Sequence, residues 1–243
     1  MNAPFLIMGA RGGIGEALAR QLAAHEQPLV LSARDPDGIR ELATETGAST
    51  VACDALDAHS IRSAVETAAA DNGLAGLAYC IGSIVLKPFR SATESDFIGA
   101  YRLNTVGAAL AVQAAAPALR KAQGSVVLFS TVAAGQGFGN HTVIAAAKGG
   151  VEPLTRSLAT DLAPDIRVNC IAPSLSRTEL ADQLLSNERM AESLAASHPL
   201  KRIGEAADSA AMAAFLLGGE SSWITGQVFP VDGGRSALRT RGQ

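Results

Sequence analysis

A glycine-rich turn, Gly9-Ala10-Arg11-Gly12-Gly13-Ile14-Gly15, constrains this chain more than any other feature. The apolar run Ala3-Pro4-Phe5-Leu6-Ile7-Met8 leads into it, and Glu16-Ala17-Leu18-Ala19-Arg20-Gln21-Leu22, of helical period, leads out. A strand that turns on glycine straight into a helix aims the helix N-terminus, with its unpaired N–H groups and positive dipole end, at the turn. Gly9, Gly13 and Gly15 allow a tight turn, close approach of backbone to a pyrophosphate, and close packing of helix on strand. With Arg11, Gly12 and Ile14 they form the expected phosphate cradle of a dinucleotide site.

Short apolar runs then alternate with longer helical segments almost to the end of the chain, the pattern of a parallel sheet covered on both faces. Strands are predicted near 3–8, 28–33, 49–53, 74–80, 124–130, 165–171 and 226–231. Helices are predicted to begin near Gly13, Pro36, Asp57, Glu94, Asn140 and Glu205, with a further helical excursion over about 177–197. The expected fold class is α/β, a doubly wound parallel sheet of about seven strands (the Rossmann fold) with helices on both faces. No Pro/Ser-rich linker, charge block or repeat divides the sequence, so residues 1–243 are read as a single dinucleotide-binding domain. Residues 174–199 interrupt the β–α rhythm, leaving a strand end and returning after a polar helix, and are a candidate substrate lid.

Composition narrows the function classes. A net charge of -3 gives no basic excess for tracking phosphates, so nucleic acid is not an expected partner. No run approaches the roughly 18 uncharged apolar residues of a membrane span, and the N-terminus lacks the sequence of basic flank, apolar stretch and cleavage site that marks a leader. A soluble, cytoplasmic protein is expected. Cys53, Cys80 and Cys170 are odd in number, far apart and without metal-ligand spacing, so neither a disulfide framework nor a metal site is expected.

The second strand bears on which dinucleotide is bound. An NAD-preferring site usually ends this strand with a carboxylate on the ribose hydroxyls, whereas here Leu29-Val30-Leu31-Ser32 ends in Ala33 and Arg34. Arginine suits a 2′-phosphate through charge-assisted hydrogen bonds, and Arg11 adds a second positive charge. NADP(H) is therefore preferred over NAD(H); the alternative is that both arginines are simply solvated. Asp54, at the end of the third strand, is placed either to meet the adenine edge or to cap the next helix.

Further landmarks follow in order. They are Gly82 after the fourth strand, Asn104 in Leu103-Asn104-Thr105-Val106-Gly107, Ser130-Thr131 after Val126-Val127-Leu128-Phe129, and Lys148 in Ala145-Ala146-Ala147-Lys148-Gly149-Gly150. Arg167-Val168-Asn169-Cys170-Ile171-Ala172-Pro173 with Thr178, then Pro199-Leu200-Lys201-Arg202-Ile203-Gly204, and finally Val231-Asp232-Gly233-Gly234 complete the series. Together with the glycine turn and Asp54, it resembles the short-chain dehydrogenases/reductases over almost the whole chain. The resemblance implies that Lys148 holds the nicotinamide ribose and lowers a neighbouring pKa by its charge. It implies that Asn104 positions a water in a proton relay and that Thr131 stands where a serine polarises the substrate carbonyl. Ser130 takes that place instead if the strand end is shifted by one residue. Gly82, Pro173 and Thr178 would lie along the cofactor, Thr178 at its carboxamide. A homo-oligomer, tetramer or dimer, is also implied, pairing through alanine-rich helices near 94–121 and 140–162.

One position breaks the pattern. Four residues before Lys148, where the family has its proton-donating tyrosine, stands Ile144, which can neither donate nor accept a proton. Tyr79, in a predicted core strand, and Tyr101, one turn before Asn104, do not offer themselves as replacements. His141 lies seven residues before Lys148, the offset at which the related enoyl-acyl-carrier-protein reductases place their tyrosine, and can donate a proton near neutral pH. The alternative is that it flanks its helix and faces solvent. Met8 and Tyr79-Cys80-Ile81 replace family residues that brace each other through polar contacts, which implies a joint apolar repacking, and Ser174 stands where a glycine commonly follows the proline.

Two function classes follow. The first is an NAD(P)-dependent oxidoreductase that transfers a hydride between NADP(H) and a carbonyl/alcohol or activated double bond, with a non-tyrosine proton source. The second is a catalytically inactive dinucleotide-binding homologue, a sensor or structural subunit, which accounts directly for Ile144. Segments 83–88, 133–140 and 176–199 are expected to line the substrate pocket, and their small, mostly apolar side chains imply a fairly apolar small molecule.

Overall fold

The computed structural model describes residues 3–70 and 72–239. Its strands are β1 (Phe5–Met8), β2 (Leu29–Ala33), β3 (Ser49–Ala52), β4 (Gly76–Tyr79), β5 (Ser125–Phe129), β6 (Arg167–Pro173), β7 (Ser176–Arg177), β8 (Gly204–Glu205) and β9 (Val228–Val231). Seven of them form one parallel sheet in the order β3-β2-β1-β4-β5-β6-β9. These are the seven strands expected from the sequence. The two-residue ladder of β7 with β8 was not anticipated, because Ser176-Arg177 and Gly204-Glu205 carry no apolar pattern to betray it.

Successive strand residues point to opposite faces, and both faces here are covered. Leu6, Met8, Leu77, Tyr79, Val126, Leu128, Val168 and Cys170 pack into one layer, against α3 (Ala58–Ala69), α5 (Gly107–Ala122) and α7 (Val151–Leu162). Ile7, Leu31, Ala78, Val127, Phe129 and Ile171 pack into the other, against α1 (Gly13–Ala24), α2 (Arg40–Thr46) and α10 (Ala206–Leu217). Full burial of Ile7, Leu31 and Leu128 contributes about 1.5–3 kcal/mol each. Met8 and Tyr79 are register partners in adjacent strands and share the first layer, so the two apolar departures from the family pattern pack together.

Between the layers, β1 and β4 lie side by side while their connections leave in opposite directions along the sheet. Ligands of open α/β sheets bind in the crevice at such a switch point, beyond the strands' carboxyl ends. Gly9 follows β1 there and Gly82 lies just beyond β4.

The helix expected near 94–121 is divided. α4 (Glu94–Tyr101) runs into a single π-helical turn, Arg102–Val106, which continues as α5. Thr93 and Asp96 form a capping box at the start of α4, and Lys87 Nζ bonds Asp96 at 2.7 Å. The next long helix is also divided, at Gly149-Gly150, into α6 (Thr142–Gly149) and α7. Residues 174–199 contain β7, α8 (Asp182–Leu185) and α9 (Glu188–Ala196), and α9 has no buried residue. Among the described residues, no helix is long and apolar enough to cross a membrane.

Candidate active site

The glycine turn is as tight as its sequence demands. Gly9 has φ +86°, and a Cβ there would lie 2.8 Å from Ile81 Cγ1 and 3.0 Å from Ile81 N. A Cβ on Gly15 would lie 2.5 Å from Gly9 O, so α1 can sit this close to β1 only without a side chain. Gly12 is the N-cap of α1 and supplies no side-chain cap, which leaves first-turn N–H groups of α1 free for an anion. Ile14 packs on the α1–α10 layer. Thr178 reaches over the turn from the excursion: a Cβ on Gly13 would meet its Cγ2 at 2.8 Å.

Beyond the turn, Arg34 is exposed at the end of β2, and Arg11 is exposed with its guanidinium lying along Gly38. The carboxylate after Arg34 is spoken for, since Asp35 caps the turn Pro36–Ile39 by accepting from Asp37 N–H at 3.1 Å. Asp54 Oδ1 accepts from Leu56 N–H at 2.9 Å, closing its own turn, whereas α3 is capped by Asp57. Of the two readings of Asp54, the helix cap therefore belongs to Asp57. A cradle that a Cβ would fill and an uncapped helix terminus fit the pyrophosphate of a nicotinamide dinucleotide.

Deeper in the crevice, Lys148 on α6 is buried and donates to Phe129 O at the end of β5, at 2.8 Å. Burial pushes its ammonium down to about 8. Asn104, 1% exposed, sits in the π turn. Its Nδ2 donates to Ala100 O (2.8 Å) and Ser83 Oγ (3.1 Å), and its Oδ1 accepts from Ser83 N–H (3.3 Å). The buried Tyr79 hydroxyl donates to Leu103 O at 2.8 Å, bracing that turn from β4; burial pushes its pKa up, away from any role as an acid. A Cβ on Gly82 would lie 2.9 Å from Lys148 Nζ and 3.0 Å from Asn104 Oδ1, so the two functional groups converge on one glycine.

The two hydroxyls after β5 diverge. Ser130 Oγ lies 3.1 Å from Lys148 O and 3.0 Å from Glu152 Oε1, turned toward the α6–α7 junction. Thr131 heads the loop, its Oγ1 accepting from Ala133 N–H at 3.3 Å while its own O–H is left to donate. His141 is the N-cap residue of α6, with Nδ1 2.6 Å from Gly139 O. A carbonyl only accepts, so the proton sits on Nδ1 and Nε2 is the free nitrogen. Along α6, His141, Ile144 and Lys148 recur at helical spacing on one face. Ile144 is 4% exposed, beside buried Val143 and Ala147. Tyr101 is 46% exposed on an outer groove, of about 570 Å³, that it shares with Leu56, Ile98 and Val106. The lining of that groove does not include Gly82, Asn104 or Lys148.

Other contacts join segments that sequence patterns do not connect. Gln136 Nε2 donates to Ser236 O, 100 residues away, at 2.8 Å, and the Arg235 guanidinium lies 4.5 Å above the Phe138 ring. Ser174 Oγ lies 2.8 Å from His198 Nε2, with Nδ1 of that buried histidine 2.7 Å from Leu194 O. Pro173 ends β6 directly before this pair.

The same frame is found in known proteins. A family model described as Enoyl-(Acyl carrier protein) reductase matches residues 9–236. A 3-oxoacyl-[acyl-carrier-protein] reductase of Bos taurus is 34% identical over 236 residues, 94% of this chain and 95% of its own. A short-chain type dehydrogenase/reductase from Mycobacterium ulcerans has a TM-score of 0.91 at 28% identity, covering 98% of this chain and 92% of that one. A gluconate 5-dehydrogenase from Burkholderia cenocepacia J2315, in complex with NADP and tartrate, has a TM-score of 0.91 at 25% identity, covering 98% and 97%. The family match spans residues 9–236, the overall fold agrees over 98% of the chain, and the chain belongs to the short-chain dehydrogenase/reductase family.

Proposed function

We propose that this protein is an NADP(H)-dependent oxidoreductase that transfers a hydride between the nicotinamide and a carbonyl/alcohol or an activated double bond, using a proton source other than tyrosine. The observation that carries the reading is the convergence of Lys148 Nζ and Asn104 Oδ1 on Gly82. A protein that only holds dinucleotide has use for the lysine, but not for a buried asparagine presented beside it by a braced π turn. The bound nicotinamide supplies the hydride chemistry. The Lys148 ammonium, held near 8 by burial, is charged at neutral pH and releases its proton more readily than a solvated lysine. Thr131 O–H polarises the substrate oxygen, and His141, whose Nδ1–H is engaged by Gly139 O, serves as a second acid only in its doubly protonated form, through Nε2–H. Arg34 and Arg11 support the 2′-phosphate preference, as does the NADP held by the Burkholderia relative.

In the same reading, residues 174–199 act as a lid, with Thr178 already over the glycine turn. The half-exposed Leu56, Ile98 and Tyr101 of the outer groove support a homo-oligomer. Three free cysteines suit a reducing compartment such as the cytoplasm. A catalytically inactive, dinucleotide-binding role is the second reading, and the close packing of Ile144 favours it.

Titration with NADPH and NADH, then stopped-flow oxidation of NADPH against ketones, quinones and enones, separates the two. The wild type is compared with His141→Ala, Lys148→Met and Ile144→Tyr. Tighter binding of NADPH and slow turnover that Lys148→Met abolishes are expected. Firm binding with turnover in Ile144→Tyr alone would leave the inactive homologue.

A further inference from the structure

The turn after Asp232 packs on the loop between Thr131 and α6, and it sets a cation over that loop, one of the segments expected to line the substrate pocket. Arg235 lies 4.5 Å over Phe138, and the His141 ring meets the same phenyl edge-on, with centroids 5.5 Å apart. The guanidinium is partly withdrawn from water, and this burial lowers its pKa. Yet among the described residues it has no hydrogen-bond or ion-pair partner. Asp232, whose field acts on Arg235, is committed elsewhere: its Oδ1 accepts from Gly234 N–H and its Oδ2 from Ser236 N–H, both at 2.8 Å. His198 also lies in the field of Arg235, and burial holds it toward its neutral form. A cation over a ring face is attracted to the π cloud, but its in-plane N–H donors remain unused.

We propose that Arg235 anchors a carboxylate on the substrate, so that the preferred substrates are amphipathic keto acids rather than neutral carbonyl compounds. The guanidinium offers two parallel N–H donors, the geometry that a carboxylate accepts, and Phe138 holds the plane in place. Arg235 and His141 share the Phe138 ring at the start of α6, and Lys148 stands two helical turns further on, about 10 Å along the axis. A substrate held at one end and reduced at the other has its acid and its carbonyl several carbons apart. This inference rests on the reductase reading and names the substrate class for the same site.

The test compares 6-oxoheptanoate with its methyl ester. Calorimetric binding is measured with and without NADPH, for the wild type, Arg235→Gln and Arg235→Lys, at low and high salt. The acid is expected to bind the wild type at least 10-fold more tightly than the ester. That preference should vanish in Arg235→Gln, persist in part in Arg235→Lys and shrink with salt, while NADPH affinity is unchanged. Equal binding of acid and ester to the wild type, or a preference that survives Arg235→Gln, overturns the proposal. If Arg235→Gln does not fold, the wild-type ratio with its salt dependence, together with Arg235→Lys, decides. A clear acid preference without NADPH oxidation supports the anion site and sinks the reductase reading, whereas turnover of acid and ester alike does the reverse.

Discussion

The two ends of helix α6 carry ionisable side chains, and they are held in opposite ways. Lys148 is buried, bonded to a carbonyl of β5 and packed on Gly82 with an asparagine from the π turn, so three separate elements fix its position. His141 is bonded to Gly139 and edge-on to Phe138, both within its own loop. A group fixed by distant elements keeps its place when a neighbour changes; a group fixed by its own loop moves with a few substitutions. Ile144 stands between them. An isoleucine there can neither donate nor accept a proton, while Lys148 keeps its partner from β5 and its place beside Gly82 and Asn104.

The largest test of this contrast joins the two ends. Ile144→Tyr is expected to raise single-turnover reduction by about 100- to 10,000-fold, the usual contribution of a general acid. No gain would mean that the substrate does not lie along this face of α6. The second test addresses the fixed end through pH. Folding lowers the Lys148 pKa from 10.5 to about 8, so between those values the unfolded chain binds more protons and stability rises with pH. Relative to Lys148→Met, the wild type should gain up to roughly 3 kcal/mol across that window in chemical denaturation, and the penalty is fully present below it. Parallel curves would show that the ammonium is solvated.

Smaller effects sharpen the same contrast. Gly82→Ala drives a Cβ within 3.0 Å of both Lys148 Nζ and Asn104 Oδ1 and is expected to destabilise by about 1–3 kcal/mol, with weaker NADPH binding. Tyr79→Phe leaves Leu103 O without its side-chain donor and should cost about 1 kcal/mol in thermal denaturation. Gly139→Ala, where an added Cβ meets nothing within 4 Å, should stay within about 0.5 kcal/mol of wild type. If it costs as much as Gly82→Ala, the loop is as rigid as the buried end and the contrast fails.

The sheet and its phosphate turn are legible in the sequence because they rest on local chemistry: apolar runs buried on both faces, and glycines where backbone meets backbone. The cluster of Gly82, Asn104 and Lys148 is not legible from periodicity. Those residues emerge only through family resemblance, since their meeting depends on a π turn whose sequence, Arg102-Leu103-Asn104-Thr105-Val106, has no glycine or proline to mark it. The choice between Ser130 and Thr131 depends on which side of β5 each hydroxyl leaves, a matter of one residue in register. Arg235 on Phe138 and Ser174 on His198 were invisible for a different reason. They join segments brought together by the fold, and no motif links them along the chain.

The π turn also governs how this region can change in length. From Glu94 to Ala122, α4, the π turn and α5 form one continuous column, and the middle turn holds an extra residue. Deleting one residue from it would let the turn relax to α and rotate α4 by about 100° relative to α5. The capping box at Thr93 and the Lys87–Asp96 pair would then face a different direction, and the amide of Asn104 would leave the crevice. Along this column side chains can be exchanged one at a time, whereas the number of residues is locked, as the tooth count of a gear is locked by its mate.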